Sequence, residues 1–518
     1  MISQLRRPST HYALLCSALL VTAPVPARAQ VPASPTEPFS ERVDVEVVSV
    51  DVVVTDRDGG RVLDLQRDDF ELLVDGRPVP IDYFAAPRPP APPAALAAAP
   101  AAEPAAPAPA APAAEAPTDL ILYVDQTALE NRARHETVTE LREFLAARPP
   151  GGDRVMVAAF EQDLRVLLLP TTDPVRIAAA LDELENRPSL AKIGNGERVQ
   201  LYQDIRAFGR NAMRVSGASA AARAAQIRES EIIRLENEIT LFAQQQLDRE
   251  TRSIESLERL VRALAASEGR KAVVLATAGI QAFPAVGLFA ALDQQRGVVS
   301  SSDAKRSPEL QVRGQELIRE FEGMVLAAQN ARVAFYTISP VVQPPGENNA
   351  EFGSAGPYSE KPLPRDLGLV EASASIARLA GATGGTTFNI GSDLDRRLVE
   401  VTSDIDAAYS LGFSTDAAAG EADHKIDIRL RRPGLEVRHR ESFRRSSAPE
   451  RAESALSAAV TFGKAENPLE VTLRLGEGKS DGRKKGGQIV PLAVGMPLRL
   501  LSLVPSTDGR SGKVSVRL

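Results

Sequence analysis

The chain has 518 residues, roughly three domains' worth at about 150 residues each. Its 43% apolar and 25% charged residues exclude a wholly disordered chain, a fibrous repeat and a multi-span membrane protein. A net charge of −7, 4% aromatic residues and no Trp argue against nucleic acid as a partner, and four His with one Cys leave too little for a Cys/His metal centre or a Cys-His nucleophile.

In chain order, Arg6 and Arg7 precede an apolar run from Tyr12 to Ala23, and Ala27-Arg28-Ala29 fits the small-x-small cleavage rule. Residues 1–29 therefore read as a signal peptide, too short and too Pro-broken to span a bilayer. Its removal takes away three Arg, no acid and the single Cys16, moving the net charge from −7 to −10. The mature chain then carries no disulfide and no transmembrane segment, and is placed in the periplasm, on the cell surface or outside the cell.

Residues 40–84 read as an N-terminal β module. Val43, Val45 and Val47 alternate with polar residues and Val48, Val50 and Val52 continue in the opposite phase, which predicts a strand with a β-bulge. Asp58-Gly59-Gly60 and Asp75-Gly76 predict turns. Residues 85–118, with 18 Ala and 11 Pro among 34 positions, form an extended linker.

From 119 to 415 buried-strand runs alternate with amphipathic helices. Leu120 to Asp125, Val155 to Phe160, Ala272 to Thr277 and Val333 to Ile338 are apolar throughout, which predicts a parallel sheet covered on both faces. Within it, about 209–266 reads as a helical insertion, one very long helix or a helical hairpin, with Ile232, Leu235, Ile239 and Phe242 stepping by three and four. Residues 423–443 read as a β hairpin turning at Arg431-Arg432-Pro433-Gly434, 444–454 as a second linker, and 455–518 as a C-terminal β module. Its last strand, near Lys513 to Leu518, is still alternating where it stops, so the module reads as either incomplete or completed by a partner's strand.

Four segments together resemble the von Willebrand factor A-related proteins of the acidobacterial type: Asp69-Phe70 with Val74-Asp75-Gly76, the strand ending in Asp125, Gly269-Arg270-Lys271-Ala272-Val273-Val274-Leu275, and Leu379 to Gly385 with Tyr409-Ser410-Leu411-Gly412-Phe413 downstream. The resemblance implies a multidomain fold: a central doubly wound (Rossmann-like) α/β domain with a long helical insertion, flanked by small all-β modules. It also implies a metal-ion-dependent adhesion site at the carboxyl edge of the sheet, where D-x-S-x-S, a Thr and an Asp on three loops hold Mg²⁺ or Mn²⁺. Here Asp125 and Thr127 match. Leu129 stands where the second hydroxyl belongs, Val199 maps to the Thr, and Ala278 to the Asp. The site therefore reads as degenerate, without metal or other cofactor; any remnant would use Asp125, Thr127 and Thr277. Asp125 then reads as a strand-end residue, solvated or capping the next helix.

No catalytic residues are assigned. His135, His424 and His439 have no ligand spacing, and Gly381-Ala382-Thr383-Gly384-Gly385 reads as a helix C-cap rather than a phosphate loop. The expected protein is an exported, non-catalytic binding, adhesion or scaffold protein for an unidentified protein partner. The alternatives are a metal-dependent adhesin with a non-standard site and a hydrolase with an unrecognised active site.

Overall fold

The structure is a computed structural model that describes residues 46–87, 118–147, 153–187, 191–212, 218–267, 269–296, 308–339, 367–389, 400–401, 403–415, 422–463, 467, 470–480, 488–500, 504–506 and 509–511. The expected signal peptide, most of the Ala/Pro linker and the strand near Lys513 to Leu518 lie outside the described residues. It is a mixed α/β architecture with a parallel-sheet core and several small antiparallel sheets.

The first strands are β1 (Glu46–Thr55), β2 (Phe70–Val74), β3 (Arg77–Val79) and β4 (Tyr83–Ala85). In β1, Val48, Val50, Val52 and Val54 are buried while Val47 is exposed, and the strand pairs residue for residue with no register shift. The expected β-bulge is absent, because Val47 is simply an apolar residue on the outer face. Asp75 and Gly76, at φ of 51° and 76°, make the two-residue turn between β2 and β3.

The α/β unit follows: β5 (Asp119–Asp125), α1 (Asn131–Ala147), β6 (Arg154–Phe160), β7 (Leu164–Thr171), α2 (Pro174–Asn186), α3 (Ala191–Ala212), α4 (Ala218–Leu264), β8 (Lys271–Ala276), α5 (Val286–Arg296), α6 (Pro308–Asn330), β9 (Val333–Ser339), α7 (Leu367–Ala382) and β10 (Thr387–Asn389). Strand order is β10-β9-β8-β5-β6-β7, parallel except for β7. Side chains alternate across β5: Leu120, Leu122 and Val124 pack with α1 and α2 on one face. Ile121 and Tyr123 pack with α3, α4, α5 and α6 on the other. Burial on both faces is why these strands read as unbroken apolar runs.

Helix α4 has 47 residues, about 70 Å at 1.5 Å per residue. Its stripe of Ile232, Leu235, Ile239, Phe242, Leu247, Ile254, Leu257, Val261 and Leu264 is buried in the sheet's own core, and Ser256 meets the Tyr123 hydroxyl at 2.9 Å. Its apolar stripe is thus covered from within the chain.

The last strands of the fold are β11 (Tyr409–Thr415), β12 (His424–Leu430), β13 (Glu436–His439) and β14 (Ser442–Phe443). They join the N-terminal β module to the 423–443 segment, which the sequence reading kept apart. One sheet runs β13-β1-β11-β4 and the other β14-β12-β2-β3, so residues 46–85 and 409–443 build one sandwich with a shared core around Phe70, Tyr409, Phe413 and Phe443. Residues 423–443 are not a hairpin: β12 pairs with β2 and β14, β13 with β1, and the Arg431 to Gly434 turn crosses between sheets. Period-two alternation specifies a strand's buried face but not its partner.

The expected linker at 444–454 is largely helix. Ser447 and Glu450 form a capping box for α8 (Ala448–Phe462), which packs on α4. The 455–518 segment therefore opens as helix. Its described strands form three two-stranded ribbons, Thr472–Leu475 with Leu492–Gly495, Lys479–Ser480 with Gln488–Ile489, and Val504–Ser506 with Gly509–Ser511. Among the described residues the ribbons add nothing to a core, and Leu473, Leu475 and Ile489 are exposed.

Candidate functional site

The carboxyl edge of the parallel sheet holds the residues singled out in the sequence. Strand β5 ends in Asp125 and β8 runs into Thr277, adjacent strands in the sheet. Parallel pairing therefore delivers both side chains to one place, and the Thr277 hydroxyl donates to Asp125 Oδ2 at 3.1 Å. Asp125 Oδ1 accepts from the Thr127 backbone N–H at 2.9 Å, the Thr127 hydroxyl at 2.7 Å and the Ala128 N–H at 3.1 Å. All three candidate residues are thus brought together.

Asp125 is buried, and burial raises its carboxyl above the usual carboxylate range against the pull of these hydrogen bonds. It is neither solvated nor a cap of α1: its acceptors are spent on its own loop and on Thr277. The next residue locks the loop further, with the Gln126 amide donating to the Leu184 carbonyl at 3.3 Å and accepting from Arg134 at 2.8 Å.

The three positions where hydroxyl or carboxylate ligands were expected offer none. Leu129 is fully buried in the apolar core beside Val124 and Val138. Val199, on α3, is exposed. Ala278 carries only a methyl group. Gly279 follows at φ of 96°, where a Cβ would sit inside the Ala372 carbonyl, so the backbone turns sharply under α7.

Sequence reasoning missed Glu250, on α4. Its carboxyl is pushed up to about 8, chiefly by burial and then by the charge of Asp125, against the opposing influence of Arg249, the Gln281 N–H and Arg198. Burial lowers both Arg198 and Arg249, and the Arg198 Nε lacks a hydrogen-bond partner among the described residues. The signal was present: between Leu247 and Ile254 the apolar stripe of α4 is interrupted by six polar residues. The edge therefore brings two carboxyl groups and two guanidinium groups within electrostatic range of one another. Among the described residues no group of three or more His, Cys, Asp and Glu has an arrangement able to hold a metal ion.

The His residues lie apart: His135 meets Glu185, His424 meets Asp75, and His439 meets the Arg440 carbonyl.

No protein-family model matches this chain, and no curated protein does. Solved structures do. The von Willebrand factor domain of the type V pili tip protein Mfa5 from Porphyromonas gingivalis aligns over 57% of this chain and 96% of its own, at 11% identity and a TM-score of 0.29. BatB, a conserved hypothetical protein from Bacteroides thetaiotaomicron, covers 56% of this chain and 97% of its own, at 11% identity and a TM-score of 0.22. An aerotolerance-related membrane protein from Bacteroides fragilis covers 56% and 98%, at 10% identity and a TM-score of 0.25. At such identities and TM-scores these likenesses decide nothing about activity or partner. No helix among the described residues is long and apolar enough to cross a membrane.

Proposed function

We propose that this chain is an exported, non-catalytic protein-binding, adhesion or scaffold protein. Its doubly wound, von Willebrand A-like unit would carry a degenerate metal-ion-dependent adhesion site and bind its protein partner without metal. The observation that carries this reading is the environment of Asp125. An octahedral Mg²⁺ needs several oxygen ligands free to turn toward it. Asp125 instead spends both oxygens on four donors, Leu129 and Ala278 supply no oxygen, and Val199 is exposed on α3. The cationic Arg198 and Arg249, both within electrostatic range of Glu250, oppose a divalent ion and supply the positive charge it would otherwise bring. The donor set does not fit the metal.

Glu250 favours a second reading, a metal-dependent adhesin in which this carboxyl replaces the one missing at Ala278. Thermal unfolding of the full chain with millimolar Mg²⁺ or Mn²⁺ separates the two. A site at 100-fold excess over its dissociation constant contributes about 2.7 kcal/mol. No stabilisation is expected; a clear shift that disappears in both Asp125→Ala and Glu250→Gln establishes the second reading instead.

A hydrolase needs a free base or nucleophile in a pocket. The largest concentration of titratable groups in a described cavity is at the opposite edge of the sheet, around Asp51, Lys271 and Asp404. Both carboxylates there are held by Arg, and the Lys271 ammonium donates to two carbonyls. This supports binding over catalysis.

A further inference from the structure

At the amino edge of the parallel sheet, a partly open cavity of about 70 Å³ lies between the starts of β8 and β9 and the sandwich strands β1 and β13. Five of its lining side chains are cationic (Arg270, Lys271, Arg332, Arg438 and Arg440) and two are carboxylates, Asp51 and Asp404. Both carboxylates are already shared. Asp51 meets Arg270 and Arg332, each at 3.2 Å, and Asp404 meets Arg438 at 2.7 Å and Arg61 at 2.6 Å.

That leaves Lys271 and Arg440, 5% and 8% exposed, with no ion-pair partner among the described residues. Lys271 donates to the Leu264 and Ser267 carbonyls at 3.1 and 2.6 Å, and Arg440 to the Gln329 and Ser49 carbonyls at 2.7 and 2.9 Å. Three guanidinium donors around the cavity, Arg332 Nε, Arg438 Nη1 and Arg440 Nε, are buried without a hydrogen-bond partner among the described residues. Buried charge without a counter-charge is strongly unfavourable, and a buried unmet donor costs about 1–3 kcal/mol. Burial, reinforced by neighbouring guanidinium groups, brings Lys271 down to about 8 and Arg440 down to about 10, yet both remain cationic at neutral pH. The cavity thus holds three positive charges in excess, with donors waiting on three side chains.

We propose that this cavity binds a small tetrahedral oxyanion, phosphate or sulfate, either free or as the phosphoryl or sulfuryl group of a larger molecule. One water needs about 10–15 Å³ of such space, so 70 Å³ admits an anion of this size. Guanidinium donors match oxyanion geometry, and the charge-assisted bonds would satisfy Arg332, Arg438 and Arg440 together. Because those side chains come from the α6–β9 turn and from the sandwich, the anion would tie the sandwich to the parallel sheet. The inference concerns the edge opposite Asp125 and is independent of the metal question.

Calorimetric titration of the full chain in chloride buffer at pH 7 and constant ionic strength, with inorganic phosphate, sulfate and phenyl phosphate, tests it. Saturable binding near one per chain is expected, weakened at least tenfold by Arg440→Met and by Lys271→Met and unchanged by Arg132→Met on the exposed face of α1. Inorganic anions alone binding assigns the site to a free ion; phenyl phosphate binding as tightly assigns it to a substituted one. Should Arg440→Met fail to fold, Arg438→Met replaces it. No saturable heat with any of the three anions, or binding that Lys271→Met and Arg438→Met leave intact, overturns the proposal.

Discussion

The two edges of the six-stranded sheet bury charge in opposite ways. At the carboxyl edge the burden is acidic: Asp125 is met by hydroxyls and backbone N–H groups, and Glu250 is pushed up to about 8. At the amino edge the burden is basic, with Lys271 brought down to about 8 and Arg440 to about 10. The difference follows from what each edge faces. The carboxyl edge is flanked by helices of its own unit, α3, α4 and α7, and α3 and α4 bring Arg198 and Arg249 within electrostatic range of Glu250. The amino edge is closed by the sandwich, and there the carboxylates run out before the cations do. The carboxyl edge sets two carboxyl groups against two guanidinium groups, whereas the amino-edge cavity is lined by five cations and two carboxylates and so has a place for an anion.

Backbone closeness provides the harshest test of this contrast. Gly279 at the carboxyl edge and Gly385 near the amino edge each leave room for another segment's carbonyl, of Ala372 and of Phe335 respectively. Gly279 also sits at φ of 96°. Gly279→Ala is expected to destabilise by about 3–4 kcal/mol, combining strain with a backbone clash. Denaturant unfolding checks it, and a loss under 1 kcal/mol would mean that the Thr277 loop is not held against α7.

The pH dependence of stability sharpens the comparison, because the two edges have opposite signs. Glu250 titrates near 8 folded against about 4.5 unfolded, so its stabilising contribution is complete below 4.5 and is lost as pH rises through 8. Lys271 titrates near 8 folded against about 10.5 unfolded, so its contribution is present above 10.5 and is lost as pH falls through 8. Asp125, Arg198 and Arg249 face Glu250; Asp51, Asp119, Arg332 and Arg440 face Lys271. Relative to wild type, Glu250→Gln is expected to gain stability progressively from pH 5 to 8, and Lys271→Met to gain as pH falls from 10.5 to 8. The change is about 4 kcal/mol for Glu250→Gln and about 3.5 kcal/mol for Lys271→Met over these windows, at about 1.4 kcal/mol per pKa unit. Bound oxyanion would shrink the Lys271 effect and leave the Glu250 effect alone, so repeating the urea midpoints in phosphate and in chloride reads both edges at once. Parallel slopes for the two variants would dissolve the contrast.

Much of the carboxyl edge was legible in the sequence, and little of the amino edge. The runs Leu120 to Asp125 and Ala272 to Thr277 announce strands buried on both faces, and parallel pairing then brings Asp125 to Thr277. The capping box at Ser447 and Glu450 was also written in the chain, but the polar residues around it read as a linker. The sandwich was hidden for a different reason. Val52 pairs with Tyr409 on one side and His439 on the other, and alternation carries no information about partners several hundred residues away. The cationic cavity exists only because that pairing sets Arg438 and Arg440 against Lys271 and Arg332. Lys271 was visible as part of a motif, but its burial could not be read before its cover was known.

The finest test concerns how Asp125 is held. Thr277 donates to Asp125 Oδ2 at 3.1 Å and accepts from the Gly279 N–H at 3.3 Å, so one hydroxyl links the β5 and β8 ends and steadies the sharp turn. Thr277→Val keeps the shape and removes both bonds, at a cost of about 1 kcal/mol. It should also raise the Asp125 carboxyl further, since burial already lifts it and Thr277 is one of the groups holding it down. Thr277→Ser should restore both properties, because the hydroxyl returns with only a methyl lost. Carboxyl-carbon NMR titration across the three proteins reads the Asp125 shift directly. If valine and serine behave alike, the hydroxyl is not what compensates this edge, and Arg198 and Arg249 must carry the compensation themselves. In that case Mg²⁺ would have to displace guanidinium groups rather than a hydrogen bond, which makes metal binding at Asp125 harder still.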